Sequence, residues 1–190
     1  MTRPSHLDDA GQARMVDVGA KDITHRTARA ACRVACSPAT VRLIADGRLP
    51  KGDVVAIARI AGIQAAKRTS DLIPLCHAVS LTHVHIDVDV EPDAGTVDIV
   101  ADAHATDRTG VEMEALTAAA VAALTVYDMV KSVESGVRIT DLRLVDKTGG
   151  ASGDWHEDHT HDRSAVGEPA RQVAARRDSD CAGPMRSSPE

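Results

Sequence analysis

The sequence predicts an α+β fold: a ferredoxin-like βαββαβ sandwich with an antiparallel sheet and an extra helix in the first crossover. Three observations carry that prediction. Residues 83–91 alternate between polar and apolar, and Pro92-Asp93-Ala94-Gly95 leads into a second alternating run, which is a β-hairpin pattern. Helical stretches with recognisable start or stop residues precede and follow that hairpin. A strand-like run opens the sequence of elements and another closes it, so the order reads β-α-α-β-β-α-β.

The elements follow in turn. Residues 1–14 read as a flexible N-terminal arm, and Met15-Val16-Asp17-Val18 as a short extended piece. Thr24 to Cys36, THRTARAACRVAC, is short on helix signals and is read as a strand. Ser37-Pro38 has the form of an N-cap followed by proline at the first helical position, and ATVRLIAD then stops at Gly47. Asp53 to Lys67 is the next helix, apolar nearly all round and so largely buried. In the hairpin, Val84, Ile86, Val88 and Val90 share one face, and His83, His85, Asp87 and Asp89 the other. Glu112 to Glu134 is a long Ala-rich helix, and Arg138 to Lys147 the last strand. Thr109-Gly110-Val111-Glu112 fits a capping box, with Glu112 at the third helical position. From residue 156 to 190 the chain is polar and charged, with too little apolar surface to offset ordering entropy, and is read as a disordered tail. Residues 15–155 are thus the expected folded domain.

Composition narrows the function. Of 190 residues, 43% are hydrophobic, enough for one domain with a real core. No window is expected to cross a membrane, and no signal peptide opens the chain, which favours the cytoplasm. The net charge of −6 does not advertise nucleic-acid binding, and Tyr127 and Trp155 are the only aromatics available for stacking on bases. Cys32, Cys36, Cys76 and Cys181 are scattered without a CxxC pair, so reduced thiols are expected. A core of aliphatics and alanines buries little area per residue, which favours an oligomer.

Several residues could carry chemistry. Asp128 and Lys131 lie three apart on one helix face, as a surface ion pair or as an acid–base pair. Lys51, beside Gly52 and just ahead of a helix N-terminus, reads as a solvated lysine or as a group meeting phosphate. Glu112 and Glu114 could hydrogen-bond the N–H edge of a guanine-like ring, or merely favour the helix dipole. Lys21, His25, Arg26, Lys67, Arg68 and Lys147 are basic residues able to meet phosphates. His83 and His85 are better read as a wet sheet face than as a metal pair. His156, His159 and His161 are better read as a solvated tail than as ligands. No metal site is predicted.

Four stretches, MVDVGAKDITHRTARA, KGDVVAIARIAGIQAAKRTSDLIPLCH, TGVEMEALTAAAVAALTVYDMVK and KTGGASGDW, together resemble the MoaC family of molybdenum-cofactor biosynthesis, the cyclic pyranopterin monophosphate synthases. The likeness runs from about Met15 to Trp155. It implies a ferredoxin-like fold in a homohexamer, a trimer of dimers, with active sites at subunit interfaces. It implies a lyase whose substrate is a GTP cyclised between guanine C8 and ribose C3′, which becomes cyclic pyranopterin monophosphate as pyrophosphate leaves. On that resemblance Asp128, Lys131 and Lys51 are catalytic. Leu75, Cys76, His77, Glu112, Met113 and Glu114 bind the substrate, and Lys21, Arg26, Lys67 and Lys147 hold phosphates. No cofactor is implied; no carboxylate cluster demands Mg²⁺, though Mg²⁺ could assist the phosphates. The competing expectation is a relative that binds nucleotide or acts as a scaffold without turnover.

Three further expectations follow, the first two on the resemblance and the third from helix geometry. Pro74 should leave the backbone of Leu75-Cys76-His77 uncommitted to a helix, free to meet a ring edge, with His77 able to donate to a phosphate or ribose oxygen. Lys51 and Lys131, crowded into one pocket, should depress one another's pKa. Met113 and Lys131 share a helix face yet stand roughly 27 Å apart along the axis, so the helix ends should serve different active sites unless the first turn bends back.

Overall fold

A computed structural model describes His6 and residues 10–157. The elements are β1 (Thr24–Ala35), α1 (Pro38–Ala45), α2 (Val54–Ala66), α3 (Thr69–Leu72), β2 (Leu81–Glu91), β3 (Thr96–Asp107), α4 (Glu112–Val130), β4 (Arg138–Thr148) and β5 (Trp155–His156). The sheet order is β2-β3-β1-β4-β5, every neighbouring pair antiparallel. Apart from α3 and the short β5, this is the predicted order of elements. The stretch read as a disordered tail lies outside the described residues from Asp158 on. At its start, His156 pairs with Asp146, and the Glu157 carboxylate accepts from Arg143 Nε at 2.9 Å.

One face of the sheet carries the core. Alternate residues of β1 and β3, from Ala28 to Val34 and from Val97 to Ala105, point inward and are fully or almost fully buried. They meet Ala115, Ala118, Ala119, Ala122 and Val126 of α4. These small side chains bring backbones close: a Cβ on Gly62 of α2 would stand 3.0 Å from the Ala118 carbonyl oxygen. The other face is polar. Arg29 pairs with Asp102 and Arg33 with Asp98, each across β1 and β3 in register, with Nε to oxygen distances of 2.6 Å. His83 lies opposite His104, ring centroids 5.0 Å apart, so the predicted wet face of β2 continues onto β3.

The predicted caps divide into one success and one failure. Ser37 Oγ accepts from Thr40 N–H at 3.3 Å, and Gly47 takes the left-handed φ of 64° that ends the first helix. The Glu134 carboxylate also accepts from Ser37 N–H at 2.9 Å and from its hydroxyl at 2.9 Å, tying the turn after α4 to the start of α1. The expected capping box at Thr109 does not form. Val111 is the N-cap of α4, no side chain caps it, and Glu112 is the first helical residue. A longer-range partner has taken Glu112: Lys147 Nζ donates to it at 2.9 Å.

α4 ends at Val130 rather than Glu134, because the chain then turns to meet Ser37. By length and composition it could cross a membrane, with 19 residues and a mean hydropathy of 1.4, against the expectation that no window would. Its alanines raise the hydropathy while adding little bulk. In this fold more than half of the helix is buried against the sheet and α2.

Candidate active site

The C-terminal end of α4 carries the first cluster. Asp128 accepts from Lys131 Nζ at 2.7 Å on one carboxylate oxygen and from Lys51 Nζ at 2.8 Å on the other. Lys131 comes from the same helix, at the i+3 spacing read from the sequence. Lys51 comes from the loop after α1, where the φ of 94° at Gly52 lets the chain reverse into α2. Lys51 Nζ also donates to the Asp128 main-chain carbonyl at 2.6 Å, one of the carbonyls left open at a helix end.

Electrostatics follow the hydrogen bonds. The bond from Lys131, then that from Lys51, pull Asp128 down to about 2. The bond to Asp128 raises Lys131 in turn. The expectation that Lys51 and Lys131 would depress one another is therefore overturned for Lys131: the carboxylate stands between the two ammonium groups and keeps it protonated. The cluster is a cationic proton-donating surface, with its three side chains between a third and three-fifths exposed.

The N-terminal end of α4 borders a cavity of about 330 Å³. Six predicted residues line it: Lys21, Leu75, Cys76, His77, Glu112 and Met113. Pro74 and Leu75 form a turn and Cys76 follows without regular structure, outside any helix as Pro74 suggested, although the Cys76 N–H is committed to the Ile73 carbonyl at 3.0 Å. His77, expected to meet a phosphate or ribose oxygen, donates from Nε2 to the Val16 carbonyl at 2.7 Å. Burial, with Glu114 and Glu112 nearby, raises the Cys76 thiol, which suits a pocket-lining residue rather than a nucleophile.

Around this cavity three predicted residues take other places. Lys147 reaches it through Glu112. Glu114 is 2% exposed, does not line the cavity, and leaves Oε2 without a partner. Burial first, then the charges of Glu112 and Asp107, raise its carboxyl to about 7. Arg26 is 9% exposed with Nε unpartnered, its guanidinium packed where a Cβ on Gly150 would stand. Lys67 stands apart from both clusters, in a shallower hollow of about 240 Å³ beside Ile63, Leu81 and His83.

The two clusters cannot meet within one chain. α4 runs unbroken from Glu112 to Val130, and Lys131 N–H still donates to Tyr127 O at 2.9 Å. The first turn is not bent back, so Met113 and Lys131 remain roughly 27 Å apart along the axis.

This arrangement can be set beside known proteins. The MoaC family model matches residues 15–150. The chain belongs to the MoaC family. Relatives named cyclic pyranopterin monophosphate synthase include those of Streptomyces avermitilis, 61% identical over 80% of this chain and 89% of the relative, and Streptomyces coelicolor, 60% identical over the same shares. The synthase of Chloroflexus aggregans is 53% identical over 82% of this chain and 94% of its own. Within this MoaC chain the sequence reading missed Val16, Val18, Thr109 and Gly110 as cavity residues, although the quoted family stretches contain all four. It also missed His6, which lies in the stretch read as an arm. No spacing rule links His6 to Cys76; only the folded path of the chain does.

Proposed function

We propose that the protein is a cyclic pyranopterin monophosphate synthase, a phosphorus–oxygen lyase. It converts the C8–C3′ cyclised GTP into cyclic pyranopterin monophosphate and releases pyrophosphate. The observation that carries this is Asp128 held between Lys51 and Lys131. A binding-only or scaffolding relative has no need of that set, which favours the enzyme. The hydroxyl attack on the α-phosphorus expels pyrophosphate, and the leaving charge needs cations and a proton. Lys51 and Lys131 supply both, and Asp128 sets their positions. The guanine-derived ring rests in the cavity at the other end of α4. Glu114, titrating near neutrality beneath the first turn of α4, can pass a proton in either direction. Arg26, Lys21 and Lys147 hold phosphate charge. Lys67 joins them only from a neighbouring chain.

The same reading makes the site shared. The cavity of one chain and the lysine cluster of another face a single nucleotide, within a homohexamer built as a trimer of dimers. Two observations favour association: the roughly 27 Å between half-sites, and apolar side chains left in the open on the helices, with Ile57, Ile60 and Leu124 between 42% and 61% exposed. The nucleotide substrate puts the enzyme in the cytoplasm. Mg²⁺ enters this reading only as an aid to phosphate charge.

Turnover of the cyclised GTP tests the reading, followed as pyrophosphate release with and without EDTA, wild type beside Lys51→Ala. Product from the first and none from the second is expected. Tight binding without product from wild type would leave only the sensor reading. Sharing is tested by mixing inactive Lys51→Ala with inactive Glu114→Ala. Recovered activity in hybrid oligomers is expected, and none at any mixing ratio would sink the shared site.

A further inference from the structure

The cavity at the start of α4 has a second wall that the functional reading leaves unused. It is made by the chain ahead of β1, through His6, Val16 and Val18. That wall is pinned. His77 Nε2 donates to Val16 O at 2.7 Å, Arg108 Nε donates to Lys21 O at 3.1 Å, and the Asp17 carboxylate accepts from Gly19 N–H at 2.8 Å. Further back, Gly11 takes a φ of 76°, and Arg14 N–H donates to His6 O at 2.9 Å. His6 lines the same cavity as Cys76 and His77. Two of the cavity's polar side chains are already engaged, His77 on Val16 and Glu112 on Lys147. His6 adds an imidazole that can donate or accept.

We propose that His6 and the stretch over residues 10–18 are part of the substrate-binding half-site. His6 contacts the bound nucleotide, and His77 is a positioning residue that holds the segment through Val16. The inference rests on the reading of this cavity as the substrate's. On this proposal His6, from the stretch read as an arm, belongs to the half-site.

The test uses the full chain with His6→Ala, His6→Gln and Gly11→Val. A side chain at Gly11 meets nothing within 4 Å but strains the turn, so this variant moves the segment without removing a polar group. KM and kcat are measured for the cyclised GTP. In a Cys181→Ser background, Cys76 modification by a thiol reagent is timed and assigned by peptide mass spectrometry. Cys32 and Cys36, both pushed up to about 11, react far more slowly. His6→Ala should raise KM about tenfold with kcat within about twofold, and His6→Gln should restore part of the loss. Gly11→Val should raise KM and speed Cys76 modification several-fold. Unchanged KM in all three variants, or an unchanged Cys76 rate in Gly11→Val, overturns the proposal. The thiol measurement needs no turnover. Faster modification in a protein whose wild type makes no product would support the segment as cavity wall and discard the synthase reading instead.

Discussion

Lys51 holds Asp128 by two oxygens at once, the carboxylate Oδ2 at 2.8 Å and the main-chain carbonyl at 2.6 Å. One lysine thereby satisfies a helix end and fixes the rotamer of the aspartate that also grips Lys131. Replacing Lys51 by methionine keeps the stem and removes both bonds. Turnover should fall at least about 100-fold. In a carboxyl NMR titration Asp128 should move up from about 2 towards its ordinary 3.8. It should not reach it, because Lys131 remains. An unmoved Asp128 would mean that Lys51 does not set its charge. The sign for stability follows: the depressed Asp128 contributes above its unfolded value, and that contribution is lost as pH falls through 3.8 towards about 2.

Glu114 gives the opposite sign. Its folded value, about 7, lies above the ordinary 4.5. Between those values the folded chain binds the extra proton, so Glu114 costs stability as pH rises, and the cost is complete above about 7. Glu114→Gln should therefore stabilise the chain by roughly 2–4 kcal/mol at pH 8, with the difference vanishing near pH 4. Urea melts at both pH values check this. Equal gains at both would show that Glu114 is not buried as a neutral acid. Turnover should fall in the same variant.

Gly150 is the next point of weakness. Its φ of 86° is left-handed, and its missing Cβ makes room for the Arg26 guanidinium. Gly150→Ala should cost roughly 1–3 kcal/mol for the backbone alone and displace Arg26 as well. A lowered melting temperature with a raised KM is expected. A raised KM at unchanged stability would place the whole effect on Arg26.

Glu134 closes the turn beyond Lys131 by accepting from both polar groups of Ser37. Glu134→Ala should cost roughly 1–3 kcal/mol by leaving the α1 cap incomplete. Glu134→Gln, which keeps one acceptor oxygen, should cost about half as much. Thermal melts of the two variants decide; equal losses would assign the effect to packing.

The legible parts of this chain were local. Val84, Ile86, Val88 and Val90 announce a strand because the pleat repeats every two residues. Ser37, Pro38 and Gly47 announce helix ends through their own backbone chemistry. Asp128 and Lys131 announce a shared face through helix spacing alone. What failed was set by partners distant in sequence. Thr109 and Glu112 match a capping box, but Lys147, thirty-five residues on, takes Glu112. β5 exists because the glycines after Lys147 fold the chain back on β4, and no propensity of Trp155-His156 would suggest it. The effect on Lys131 was misjudged because spacing located Lys131 and Asp128 but said nothing of Lys51 arriving on the carboxylate's other oxygen.

The straightness of α4 has a consequence for the kinetics. On the proposed shared site, a lone chain would carry half a centre at each end of α4 and no whole one. An assembly would then hold as many centres as chains, because each centre takes one half-site from each of two chains. Catalytic output would then depend on self-association. Specific activity should fall on dilution below the dissociation constant of the assembly and recover on concentration, so the cell's supply of product would respond more than linearly to the amount of protein made.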